Sequence, residues 1–300
     1  AIPTQVMEKY LIPGLEVNRV VFVNGEYEPT LSEIKDVGIE VRKKQSERKN
    51  DDDSFALLNS LFTGMEVRIV LKEGSRFLHP IHILHIGDNG IMPMLSQPHH
   101  TLEIGKGARA ECIISFHSTT TTHEPRECAL PIKVIRSNFT NAVIEMRIGA
   151  HAVCDLYIME DENDTQQTIT STFCTADEGS QCSFYTFSFG GKLIRNSLSF
   201  TYEGSQAHGN FFGLYCTNGK NHIDNRTVIS HENTQCTTIQ NYKGILGGDA
   251  TGVFNGKIYV APGAAKSSAV QINKNILLSE KATINTCPAF EIYADEVKCN

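Results

Sequence analysis

The chain has 300 residues, 40% of them hydrophobic and 20% charged, with a formal net charge of −7. That balance predicts a globular chain with ample core for one large or two ordinary domains. It argues against a nucleic-acid surface, which calls for basic residues, and no run of 18 apolar residues is present to form a membrane-crossing helix.

In chain order, Ala1 to Tyr10 lack a basic stretch followed by an apolar one, so they do not read as a secretory leader. Arg19 to Gly25 form a β-run closed by Asn24-Gly25, a hairpin signal. The charged run from Arg42 to Asp53 reads as solvated loop. Behind its acidic end, Phe55, Leu58, Leu61 and Phe62 fall at helical spacing and predict one short helix over 52–62 with an acidic N-cap. Residues 1–64 are therefore read as a mixed lead-in and residues 65–300 as a separate β-rich core.

From residue 65 onward, short β-runs alternate with Gly, Asn, Asp and Pro. A pattern recurs: Gly107-Ala108-Arg109-Ala110-Glu111-Cys112 and Gly149-Ala150-His151-Ala152-Val153-Cys154 share G-A-x-A-x-C. Gly179-Ser180-Gln181-Cys182 and Gly204-Ser205-Gln206-Ala207 are degenerate copies, so the glycines lie 42, 30 and 25 residues apart. Glycine supplies the positive-φ corner, and the small residues at period two point inward. Repeats of strands and turns at this length indicate a solenoid or a propeller. The irregular period and the absence of Trp disfavour a propeller. A parallel β-helix fits, because insertions become loops between coils; a β-sandwich is the alternative.

The nine cysteines include no C-x-x-C pair, which disfavours a structural zinc site. Cys112, Cys154 and Cys182 fall in the repeat and are read as inward-packing small hydrophobes of a reducing, cytoplasmic protein. The sequons at Asn138, Asn163 and Asn225 are then chance matches.

Four polar groups are candidates for chemistry. His79, His82 and His85 form H-x-x-H-x-x-H, but on a strand His82 faces away from the other two. His99-His100 reads as an exposed pair in a loop. His222 and Asp224 share one face of an extended strand, with His231 nearby in sequence, giving a candidate metal or acid–base group against the plainer reading of a polar ladder. The acidic stretch Glu160 to Asp164 reads as solvated loop. No phosphate-binding G-x-x-x-x-G-K-[ST] loop and no G-x-S-x-G nucleophile elbow occur.

The pieces Lys243-Gly244-Ile245-Leu246, Val253 to Ile258, Asn275 to Ser279 and Glu291 to Asp295 running on to Cys299 resemble the core of the SufB/SufD family of iron–sulfur cluster assembly proteins, most of all SufD. The earlier VFVNG and FALLN segments resemble the stretch that leads into that core. The resemblance implies a right-handed parallel β-helix and a non-catalytic subunit that pairs with SufB and works with the ATPase SufC. It implies a homodimer when SufB is absent, no permanently bound cofactor, and transient iron or an iron–sulfur cluster at the partner interface. In the family the Cys matching Cys299 precedes Ser-His-Gly and a helical tail that docks SufC. This chain stops at Asn300, so it is expected to bind SufC poorly. Cys299, His222, Asp224 and His231 are the candidate metal-ligating residues. No nucleic acid and no membrane are expected as partners. A carbohydrate-active β-helix enzyme and a free-standing metal-binding module are the alternatives.

Overall fold

The computed structural model describes residues 7–43, 53–88, 94–119 and 138–300. Strands β1 (Asn18–Val23) and β2 (Glu26–Tyr27) form the hairpin, turning through Asn24 and Gly25 at φ of +52° and +83°. β3 (Ile39–Lys43) and helix α1 (Ser54–Phe62) follow, then β4 (Met65–Leu71), β5 (Ile81–Asp88), β6 (Leu95–Ser96) and β7 (His99–Ile104). Long strands then alternate: β8 (Arg109–Thr119), β9 (Asn138–Ile148), β10 (Val153–Glu162), β11 (Gln166–Ala176), β12 (Gln181–Gly190) and β13 (Leu193–Tyr202). β14 (His208–Thr217), β15 (His222–His231), β16 (Thr237–Leu246), β17 (Thr251–Val260), β18 (Ser268–Leu277), β19 (Thr283–Ile292) and the short β20 (Lys298–Cys299) complete the chain.

From β8 onward, even-numbered strands stack in parallel in one sheet and odd-numbered strands in a second. The result is a parallel β-solenoid of about seven turns, as the repeat and the resemblance predict. The lead-in is built into it: β1 pairs in parallel with β5, and β3 pairs antiparallel with β4. The charged run is described only at its ends, and residues 44–52 lie outside the described residues.

Residue alternation decides what fills the space between the sheets. In β10 the inward positions are Cys154, Leu156, Ile158, Glu160 and Glu162, all buried. Cys112, Cys154 and Cys182 do pack inward, at 0–2% exposure. Aromatic rings from successive coils pack on one another, with Phe211 5.0 Å from Phe200 and 5.5 Å from Phe184, ring centre to ring centre. Such contacts add to the area term of burying large side chains.

The coil repeat differs from the G-A-x-A-x-C alignment by two residues. Cys154 stands beside Ala110, and Leu156 beside Cys112. The left-handed corner lies two residues before each even-numbered strand from β8 to β20. It is taken in turn by Gly107, His151, Gly179, Gln206, Gln235, Lys266 and Glu296, all with φ of +58° to +64°. After His151 the steps are 27 to 31 residues, far more regular than the glycine spacing. A slip of two preserves which residues point inward, so alternation alone does not expose it.

Helix α1 forms where predicted, and the Asp53 carboxylate accepts from the Phe55 and Ala56 amides. The face it buries is not the predicted one. Leu61 and Phe62 are exposed, while Ala56, Asn59 and Ser60 are buried. The Asn59 amide donates to the Pro98 and Asn141 carbonyls and its oxygen meets the His99 ring, so polar contacts to the solenoid set the helix orientation.

Candidate functional site

The candidate ligands occupy separate places. His222 and Asp224 share the outer face of β15, as their spacing implies. Asp224 is held by Arg226 (Nε to Oδ2, 2.9 Å), with Arg195 at 3.8 Å. His231 lies an odd number of residues along the same strand and so points inward. It is fully buried, its Nε2 is 2.8 Å from Thr238 Oγ1, and its ring packs at 4.6 Å on Tyr202. Burial lowers the His231 pKa to about 4, so the ring is neutral at physiological pH. The strand wall thus separates His231 from the other two.

Cys299 is half-buried in β20 and paired with Ala269 of β18. Register places it at the end of an inward column that runs from Ala110 through Cys154, Cys182, Gly209, Thr238 and Ala269. Burial raises the thiol pKa, only partly offset by a backbone hydrogen bond at Ala269. The last coil exposes Ile276, Leu277, Leu278, Ile292 and Tyr293, and β19 is the outermost strand of its sheet.

The acidic stretch contradicts the solvated-loop expectation. Glu160 and Glu162 are the last two inward positions of β10, at 0% and 8% exposure. Glu160 accepts from Ser188 Oγ (2.7 Å), Asn196 Nδ2 (3.0 Å) and Thr170 Oγ1 (3.4 Å). Glu162 accepts from Thr168 Oγ1 at 2.6 Å. Desolvation pushes the carboxyl pKa values up to about 7 and about 8, so both hold or release a proton near neutrality. Asn196 continues the polar seam to Asn225 at 3.3 Å. One side of the cavity between the sheets is therefore polar. The signal was present in the sequence: both glutamates continue the even-numbered positions of Cys154, Leu156 and Ile158, and composition obscured it.

The histidines of the first coils also differ from expectation. His99 and His100 are buried in β7, not exposed in a loop, because β7 is sandwiched between β4 and β9. His100 points inward and its Nε2 lies 2.9 Å from His85 Nε2, with the His85 ring stacked between Phe22 and Phe116 at 4.9 Å from each. Burial lowers both pKa values, that of His85 to about 3. His82 lies on the other side of β5 against Ser115, and His79 precedes the strand beside Asp36, so the three histidines of the motif do not converge. Among the described residues no group of three or more His, Cys, Asp or Glu side chains is placed to hold a metal ion. No helix among them is long and apolar enough to cross a membrane.

An open trough of about 960 Å³ lies over the outer side of the second sheet, lined in part by Glu103, Glu145, Arg147 and Phe173. Of its three glutamates, two are engaged: Glu103 by Arg68 at 2.9 Å and Glu145 with His99 at 3.8 Å, while Glu73 sits at its rim. Phe173 is the sole aromatic among its lining residues, a poor platform for a sugar.

Comparison with known proteins agrees with the architecture. Residues 85–300 match the family described as "SUF system FeS cluster assembly, SufBD core domain". The chain is 25% identical to an iron–sulfur cluster assembly SufBD family protein of Synechocystis over 98% of its own length and 67% of that protein. It is 27% identical to the iron–sulfur cluster assembly protein SufD of Escherichia coli over 95% of its length and 66% of that protein. A chloroplastic Arabidopsis protein, ABCI7, is 25% identical over 54% of the chain and 34% of its own length. The chain thus spans about two thirds of the first two relatives.

Proposed function

The chain belongs to the SufBD core family, and on that premise we propose that it is a non-catalytic, SufD-like subunit of an iron–sulfur cluster assembly complex in the cytoplasm. It pairs with a SufB-like subunit and works with a SufC-like ATPase; alone, it forms a homodimer. The observation that carries this reading is the family match across 85–300, which spans almost the whole solenoid. The last coil gives it a physical route. A terminal strand presents unpaired backbone groups that a second β-helix satisfies by edge pairing, and the exposed Ile276, Leu278, Ile292 and Tyr293 add apolar area there. Cys299 stands at that end, where a thiolate from this chain and groups from a partner would meet iron or a nascent cluster as cargo.

Co-expression of the full-length protein with SufB-like and SufC-like subunits tests the proposal. Recovery of a ternary complex that accumulates iron and sulfide is the expected result. A protein that stays alone and cleaves or binds a polysaccharide would overturn it.

A further inference from the structure

The outer faces of the two sheets differ in character. On the second sheet the outward positions of β11, β13 and β15 are mixed: Arg195, Ser199, Asp224 and Arg226 interrupt Ile169, Phe173 and Val228, so no continuous apolar row forms. On the first sheet, register aligns Tyr157, Tyr185 and Phe212 in one outward row and Met159, Phe187 and Leu214 in the next, with Phe189 and Cys216 beyond. Tyr157 stacks on Tyr185 at 4.7 Å and Tyr185 on Phe212 at 5.4 Å. These side chains are half-buried.

The same face is already covered at its beginning. Over β1, β5 and β8, a helical turn carries Met7, Tyr10 and Leu11 onto Val21, Val23, Leu84 and Ile86. Tyr10 stacks on His117 at 4.6 Å and donates to the Ser118 carbonyl at 3.3 Å. The covering residues follow the i, i+3, i+4 spacing of an amphipathic helix. The aromatic patch begins on β10, the next strand of that sheet, so it continues a face that this chain itself covers with a helical turn.

Size and charge narrow the occupant further. Three strands span about 10 Å, the diameter of one α-helix, and three outward rows run for about 15 Å, or roughly three helical turns. Glu111, Asp155 and Asp161 lie on the β8–β10 margin, and Lys243 and Lys274 lie beyond β14 on the other. None of these five has an ion-pair partner among the described residues.

We propose that the outer face of β10, β12 and β14 is a docking surface for an amphipathic helix of a partner protein, with its apolar stripe over Tyr157, Tyr185, Phe187 and Phe212, its basic flank toward Asp155 and Asp161, and its acidic flank toward Lys243. This surface is separate from the solenoid end invoked for subunit pairing, so its failure leaves the assembly reading standing.

The test uses the full chain and a fluorescein-labelled designed helix of about 18 residues, with a leucine stripe, lysines on one flank and glutamates on the other. A scrambled peptide of the same composition is the control. Saturable anisotropy change with the first and none with the second is expected, and Tyr185→Lys or Phe212→Lys should weaken binding by roughly tenfold or more. Thiol footprinting locates the contact even if one of those variants folds poorly. Bound peptide should slow alkylation of Cys216, inside the patch, and leave Cys287, exposed on the second sheet, unchanged. Equal binding of both peptides, unprotected Cys216, or concentration-dependent self-association abolished by Phe187→Lys would overturn the proposal, the last by assigning the face to a second copy.

Discussion

Where β10 begins and β11 ends, the solenoid interior is Cys154, Leu156, Cys174 and Ala176; where β10 turns into β11, it is Glu160, Glu162, Thr168 and Thr170. The two flanks share strands, pairing and burial. They differ in what each side chain requires once water is gone. The apolar flank gains from area and shape, and the stack of Phe184, Phe200, Phe211 and Tyr202 shows it. The polar flank depends on hydrogen bonds, because a buried unpaired polar atom costs more than a made hydrogen bond returns, and Asn196 Oδ1 and Asn225 Nδ2 are left without one. The comparison teaches that a solenoid can carry titratable groups through its interior, provided the parallel stack supplies hydroxyls and amides at the matching positions.

The largest effect should come from breaking the apolar flank. Phe200→Ala removes a fully buried ring that touches three other aromatics and should cost about 3–5 kcal/mol in urea unfolding. A cost near 1 kcal/mol would mean that the flank collapses around the void.

The polar flank should show itself through pH. Glu160 and Glu162 have folded pKa values raised from 4.5 to about 7 and about 8. The folded state then binds more protons than the unfolded state between those limits. Their contribution is fully present below pH 4.5 and is lost as pH rises through 7 to 8, on the order of 3 kcal/mol for Glu160 and 5 kcal/mol for Glu162. The Glu160→Gln/Glu162→Gln variant should flatten that alkaline loss; an unchanged stability–pH curve would refute the protonated interior.

His231 provides the opposite limb on the apolar flank. Its folded pKa is lowered from 6.5 to about 4, so the unfolded state takes up the proton first. Stability is lost as pH falls from 6.5 toward 4, by about 2–3 kcal/mol. His231→Phe should reduce the acid loss without altering the alkaline one, as read by thermal melts across pH.

The smallest effect concerns the left-handed corners, which border the apolar flank. Gly179→Ala places a Cβ at φ +61° against the His151 ring and should cost about 1–2 kcal/mol. Gln206→Gly, at an equivalent corner with φ +58°, should be neutral or stabilise by up to about 1 kcal/mol. Both shifts should be independent of pH, unlike those of the glutamates.

Much of this was legible without coordinates. Period-two alternation bounded by turn residues determined the strands, the recurrence pointed to a solenoid although Gly149 and Gly204 are not its left-handed corners, and Asp53 determined where α1 begins. The inward cysteines followed from the same alternation. What the sequence could not decide was which neighbour each residue meets. The coil register slipped by two because a shift of two leaves every side chain on its own face. Glu160 looked like part of a loop because its partners Ser188 and Asn196 come from the next coil, 28 and 36 residues along the chain, and Glu162 because its partner Thr168 lies across the turn. His100 meets His85 only because β7 and β5 face each other across the interior, and α1 turned its polar face inward because Pro98 and Asn141 presented carbonyls to Asn59. Local chemistry set the strands and corners, since those depend on backbone preference and alternation within a few residues. The polar interior and the unequal outer faces were decided by stacking, since burial and hydrogen-bond satisfaction depend on groups that only the coiled chain brings together.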